Sequence, residues 1–67
     1  MTAIVVNGDR HESASQLSLA DAVALLSSAP TGVAAALNGE VIRRADWPRT
    51  LLQDGDEVEV VTATQGG

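Results

Sequence analysis

The residues best placed to do chemistry stand at the end of the chain. Thr64-Gln65-Gly66-Gly67 closes the sequence directly after a β-branched run, so the last α-carboxylate sits on two positions that lack a Cβ atom. Extended at about 3.3 to 3.6 Å per residue, 64–67 reaches roughly 13 to 14 Å, and its glycines keep the thread narrow enough for another protein's cleft. A terminal carboxyl group with an ordinary pKa of about 3.3 to 3.7 is ionised at neutral pH. An ionised carboxylate is a poor electrophile until one of its oxygens becomes a leaving group. Transfer of an adenylyl group from ATP makes it one, and the acyl-adenylate can then accept sulfur to become a thiocarboxylate. On that reading the protein is a reagent that other enzymes handle. The ordinary alternative is a frayed terminus without a role.

The other chemistry-bearing residues compete poorly. His11 is the single imidazole, beside Arg10 and Glu12, with no cysteine and no second histidine in the chain to complete a metal site; it reads as a solvated surface residue. Ser13, Ser15, Ser18, Ser27 and Ser28 lack a base other than His11, and capping and turns account for them. Asp54, Asp56, Glu57 and Glu59 do not have the ligand spacing of a calcium loop, and read as an acidic face that can steer a basic partner. The glycine turns at Gly8, Gly39 and Gly55 are separated by ordinary strands and form neither a GxGxxG nor a P-loop, so no nucleotide site is expected on this chain. Any ATP comes with a partner. Trp47, the only aromatic residue, reads as a plug at the open end of the core, with an interface anchor as the alternative.

The elements that must hold such a terminus follow from local patterns. Ala3-Ile4-Val5-Val6 is a short β-branched run, and Asn7-Gly8 supplies the positive φ angles of a two-residue hairpin into Asp9 to Ser13, a polar strand suited to a sheet edge. Ser18 is a good N-cap with Asp21 in a capping-box position. Leu19, Ala22, Val23, Leu26 and Ala29 then fall at helical spacing until Pro30, which predicts a helix from Leu19 to about Ser28. Val33 to Leu37, Asn38-Gly39 and Glu40 to Arg43 form a second hairpin pattern, and Arg44 to Leu52 reads as irregular around Trp47-Pro48. After the turn Asp54-Gly55-Asp56, Glu57-Val58-Glu59-Val60 alternates strictly, with Val61 and Thr62 extending the run. The order implies an α+β roll: one mixed sheet of four to five strands with one main helix packed on one face.

Composition sets the outer bounds. A chain of 67 residues, 45% apolar and 19% charged, has room for one core and one domain, 1–67, with a flexible tail at 64–67. Its stability is expected at roughly 3 to 10 kcal/mol, too little to support an elaborate strained active site, so no enzyme is expected. The net charge is -5, and the four basic residues are all arginine, which disfavours nucleic acid and anionic membranes as partners. The absence of lysine also excludes lysine-linked chains of this domain. Zero cysteines fit a reducing compartment, and Ala3 to Val6 is too short for export or for spanning a bilayer, so the cytoplasm is the expected location.

Leu37-Asn38-Gly39-Glu40-Val41-Ile42, Arg44, Trp47, Asp54-Gly55-Asp56-Glu57-Val58-Glu59 and Thr62-Ala63-Thr64-Gln65-Gly66-Gly67 together resemble the ThiS family, the sulfur carriers of thiamine biosynthesis. The resemblance spans the chain, and its most specific parts are the acidic turn, the last strand and the terminal diglycine. It implies a ubiquitin-like β-grasp fold whose first and last strands lie parallel at the sheet centre. It also implies that a ThiF-like adenylating enzyme activates Gly67 with ATP, that a cysteine desulfurase or related donor supplies sulfur, and that thiazole synthase (ThiG-like) receives it. Gly67 is then the modified residue, and Thr64, Gln65 and Gly66 are the tail threaded into the partner. No cofactor bound by the chain itself is expected, and the free protein is expected to be a monomer. One departure from the family pattern is Arg43, before Arg44, where a proline is expected. For the docking surface, Glu57, Glu59 and Val61 are the candidates, an apolar residue beside acidic ones on the strand that feeds the tail. The alternatives are a carrier serving molybdopterin (MoaD-like) or cysteine biosynthesis, and a β-grasp interaction module whose terminus is idle.

Overall fold

Alternating valines and two Asn-Gly turns build most of the molecule. The computed structural model describes residues 1–26 and 32–62, over which five strands, one α-helix and one 3-10 helix follow in order. They are β1 (Thr2–Val6), β2 (Asp9–Ser13), α1 (Leu19–Leu26), β3 (Val33–Leu37), β4 (Glu40–Ile42), the 3-10 helix (Arg44–Arg49) and β5 (Glu57–Thr62). The sheet order is β2-β1-β5-β3-β4. β1 and β5 run parallel, with Val5 opposite Glu57 and Val6 opposite Val58, and every other pairing is antiparallel. The first and last strands are thus neighbours, as the resemblance implied, and the polar β2 takes one edge. Both hairpins close through Asn-Gly pairs at positive φ, 51° and 86° at Asn7-Gly8 and 51° and 88° at Asn38-Gly39, the type I′ geometry that matches strand twist.

The helix begins where the cap residues say it should. The Asp21 amide donates to the Ser18 hydroxyl at 3.1 Å, and the Ser18 amide donates to the Asp21 carboxylate at 2.9 Å. This reciprocal pair satisfies two otherwise orphaned groups. Leu19, Ala22 and Val23 face the sheet and are buried. Leu26, expected in that stripe, is exposed. Ala29 and the end expected near Ser28 lie outside the described residues. Ile4 and Val6 from β1, Ala35 from β3, and Val58 and Val60 from β5 complete the core with Trp47 and Leu52.

The stretch read as irregular is ordered. Asp46 N–H donates to Arg43 O at 2.8 Å and Thr50 N–H to Trp47 O at 3.2 Å, the i to i+3 pattern of a 3-10 helix. Trp47 is 7% exposed, its indole N–H donates to Ile42 O at 2.9 Å, and the Arg44 guanidinium lies 5.7 Å from the ring centroid. The plug reading of this residue is the one the structure supports, and burying the ring orders the connection that carries it. Arg43 holds φ -64° and ψ 142°, the backbone a proline would impose, so arginine at that position keeps the path proline would set.

His11 departs from its expected solvated surface setting. It lies opposite Ile4 in the β1–β2 pairing, which turns its side chain to the helix side of the sheet. The ring is half-buried, and its Nε2 is covered with no hydrogen-bond partner among the described residues.

Candidate functional site

Strand alternation sorts β5 into two sets of side chains. Val58 and Val60 point into the core, whereas Glu57, Glu59 and Val61 are exposed on the other face of the sheet. The three residues nominated for docking therefore do share one surface, the face opposite α1. Register adds neighbours to them. Val5 stands opposite Glu57 across the parallel pair, Ala36 opposite Glu59 and Ala34 opposite Val61, and Val41 on β4 stands opposite Ala36. Val61 is 52% and Val41 73% exposed.

Among the described residues, two open depressions lie on this face. One, of about 640 Å³, lies between the two Asn-Gly turns, and its lining includes Val5, Asn7, Gly39, Glu57, Glu59 and Val61. The other, of about 210 Å³, is lined by Ala34, Ala36, Val41, Glu59 and Val61. Glu59 and Val61 border both. The apolar ground is small-residue β-sheet, and the charges upon it are acidic. Arg10 pairs with Glu12 on β2 at 2.8 Å, so that arginine is already engaged. Glu57 and Glu59 have no basic partner within ion-pair distance among the described residues. An uncompensated acidic pair beside an apolar patch attracts a cationic partner and then offers it area to bury.

The acidic turn before β5 is structural. Ala3 N–H donates to the Asp54 carboxylate at 2.8 Å, and Gly55 N–H donates to Ala3 O at 2.7 Å. Gln53 N–H donates to the Asp56 carboxylate at 2.8 Å. These carboxylates cap backbone amides and tie the start of β5 to β1, and among the described residues no group of three or more potential ligands forms a metal site. Asp54 is exposed and Asp56 half-buried, as residues of a solvated face, and each also caps a backbone amide of the turn region.

Two further residues escaped the sequence reading, which used Asn7 and Asn38 for their turns alone. The Asn7 side chain accepts from Val60 N–H at 2.8 Å and donates to Val60 O at 3.0 Å. The Asn38 side chain accepts from Glu57 N–H at 2.9 Å and donates to the Asp56 carboxylate at 3.2 Å. The signal available was the choice of asparagine, in both hairpins, where glycine would also supply the turn. The tail nominated for chemistry, Thr64, Gln65, Gly66 and Gly67, lies outside the described residues. No described helix is long and apolar enough to cross a membrane.

Comparisons with known proteins bear on the whole chain. The family model described as ThiS family matches residues 3–67. Among solved structures, the chain is similar to the crystal structure of a thiamine biosynthesis protein (ThiS) from Geobacter metallireducens, with 30% identity and a TM-score of 0.78, covering 98% of this chain and 100% of that one. Comparison with curated proteins finds no match.

Proposed function

The chain belongs to the ThiS family and is a β-grasp sulfur carrier of thiamine biosynthesis rather than an enzyme, and from that premise we propose that Gly67 is the residue that carries the sulfur. In this reading the Gly67 carboxylate oxygen attacks the α-phosphorus of ATP held by a ThiF-like adenylating enzyme, and pyrophosphate leaves. Sulfide, set free when a thiol reduces the persulfide of a cysteine desulfurase or related donor, then attacks the acyl carbon and AMP leaves, which yields the thiocarboxylate. Thiazole synthase takes the sulfur from it. The chain itself binds no cofactor; the ATP belongs to the partner. Thr64, Gln65 and Gly66 form the thread, and a reducing cytoplasm suits a chain that carries an exposed sulfur.

What the rest of the domain contributes is recognition. Glu57 and Glu59 steer a basic-rimmed partner toward the outer face, and Val61 with its small apolar neighbours gives that partner a patch to cover. Docking there places the partner over the strand that leads directly into 63–67. The observation that carries the proposal is that the family match runs through Gly66 and Gly67.

Intact-mass measurement after incubation with ATP, the adenylating enzyme and a sulfur donor tests it. The expected result is replacement of one oxygen by sulfur at the C-terminus. Deletion of Gly67 is expected to abolish both that change and ATP-pyrophosphate exchange while the circular dichroism spectrum stays the same, because a terminal residue contributes little packing. Undiminished exchange with the truncated protein would sink the reading.

A further inference from the structure

The parallel ladder between β1 and β5 stops early. Backbone bonds run from Val5 N–H to Asp56 O at 3.0 Å and from Asn7 N–H to Val58 O at 2.9 Å, after which the chain reverses through Asn7-Gly8 into β2. β5 continues to Thr62 and is paired with β3 from Val58 to that end. On the β1 side, however, the next rung at Val60 has no strand residue to meet. The Asn7 carboxamide occupies that rung. Its oxygen takes the Val60 N–H at 2.8 Å and its nitrogen gives a proton to Val60 O at 3.0 Å. A carboxamide presents the same donor and acceptor as a peptide group, so Asn7 extends the ladder by one rung without a strand.

Asn38 is the natural comparison. It has the same residue type, the same turn and the same φ of 51°, and it also bonds β5. Its partners, though, are Glu57 and Asp56 at the start of the strand, and those bonds are exposed. The Asn7 bonds are partly buried, and they hold β5 at Val60, two residues before its end at Thr62.

We propose that Asn7 is a positioning residue for the carrier terminus: its amide holds β5 at Val60 so that the chain leaves the sheet from a fixed point and in a fixed direction once the outer face has docked. The inference rests on the carrier reading above. A tail that must deliver one carboxylate to one phosphorus atom is sensitive to its anchor, since a displacement of about 1 Å can cost 100-fold in rate. The docking residues are held without this rung, Glu59 and Val61 by pairing with β3 and Glu57 by its bonds to Asn38.

Asn7→Gly and Asn38→Gly test it as a matched pair. Each keeps a Gly-Gly turn that is free to adopt positive φ and removes only the amide. For Asn7→Gly, amide hydrogen exchange at Val60 and Val61 should quicken. With the adenylating enzyme, its kcat for ATP-pyrophosphate exchange should fall roughly tenfold or more, while KM for the carrier stays within about twofold. Asn38→Gly, which loosens the docking residue Glu57, should keep kcat within about twofold, with any loss carried by KM. Equal losses of kcat in the two variants, or in Asn7→Gly a loss carried by KM or no loss, would each overturn the inference. Absence of exchange with the unaltered protein would instead overturn the carrier reading, and this inference with it.

Discussion

On the face of the sheet turned to α1, Ile4, Val6, Ala35, Val58 and Val60 are buried, while on the opposite face Val5, Ala34, Ala36, Val41 and Val61 present the same residue chemistry with Glu57 and Glu59 among them. Val60 and Val61 are adjacent and identical in type, yet one is 9% exposed and the other 52%. Folding alone explains the first set. The second set contributes little to stability, so apolar residues clustered there are better explained by a partner that covers them. On the proposed reading, stability and recognition occupy opposite faces of one sheet, and β5 contributes to both.

That division can be broken from either side. The largest expected effect on stability comes from Trp47→Ala, which removes the buried plug and leaves Ile42 O without its donor. A loss of about 3 to 5 kcal/mol is expected from such a truncation, a large share of the roughly 3 to 10 kcal/mol available to a chain of this size. Urea denaturation followed by far-ultraviolet circular dichroism measures it, and a loss below about 1 kcal/mol would contradict the assignment of Trp47 to the core. Next in size is Ser18→Ala, which removes half of the reciprocal cap on α1 and should cost about 0.5 to 2 kcal/mol by the same measurement.

The smallest effect on stability is expected from Val61→Asp on the outer face, within about 0.5 kcal/mol. Its effect on binding should be the reverse. Affinity for the adenylating enzyme should fall at least about tenfold, because a charge replaces apolar area at the centre of the proposed docking surface. Calorimetric titration gives that affinity, and unchanged binding by a folded Val61→Asp protein would place the docking surface elsewhere.

Most of the local structure was legible. Asn7-Gly8 and Asn38-Gly39 announced both hairpins, Ser18 and Asp21 announced the start of α1, and the strict alternation over Glu57 to Val60 announced which β5 side chains face water. The outer-face set of Glu57, Glu59 and Val61 was readable for the same reason, since strand periodicity assigns faces without knowledge of the neighbours. The order in Arg44 to Arg49 was not readable, because short i to i+3 turns leave no periodic pattern and here follow from the burial of Trp47. His11 was misplaced because its burial depends on lying opposite Ile4, and two polar neighbours in sequence conceal that.

The chain alone therefore determined whatever depends on near neighbours: turn angles at asparagine and glycine, a reciprocal helix cap and an alternating strand. Tertiary structure alone decided that β1 and β5 lie side by side in parallel, that Asp54 and Asp56 are committed to amides, and that Asn7 reaches Val60 across 53 positions of sequence. Such contacts are set by which strands pair and in what register, a global choice made by burying one shared core, and no window of local residues contains it.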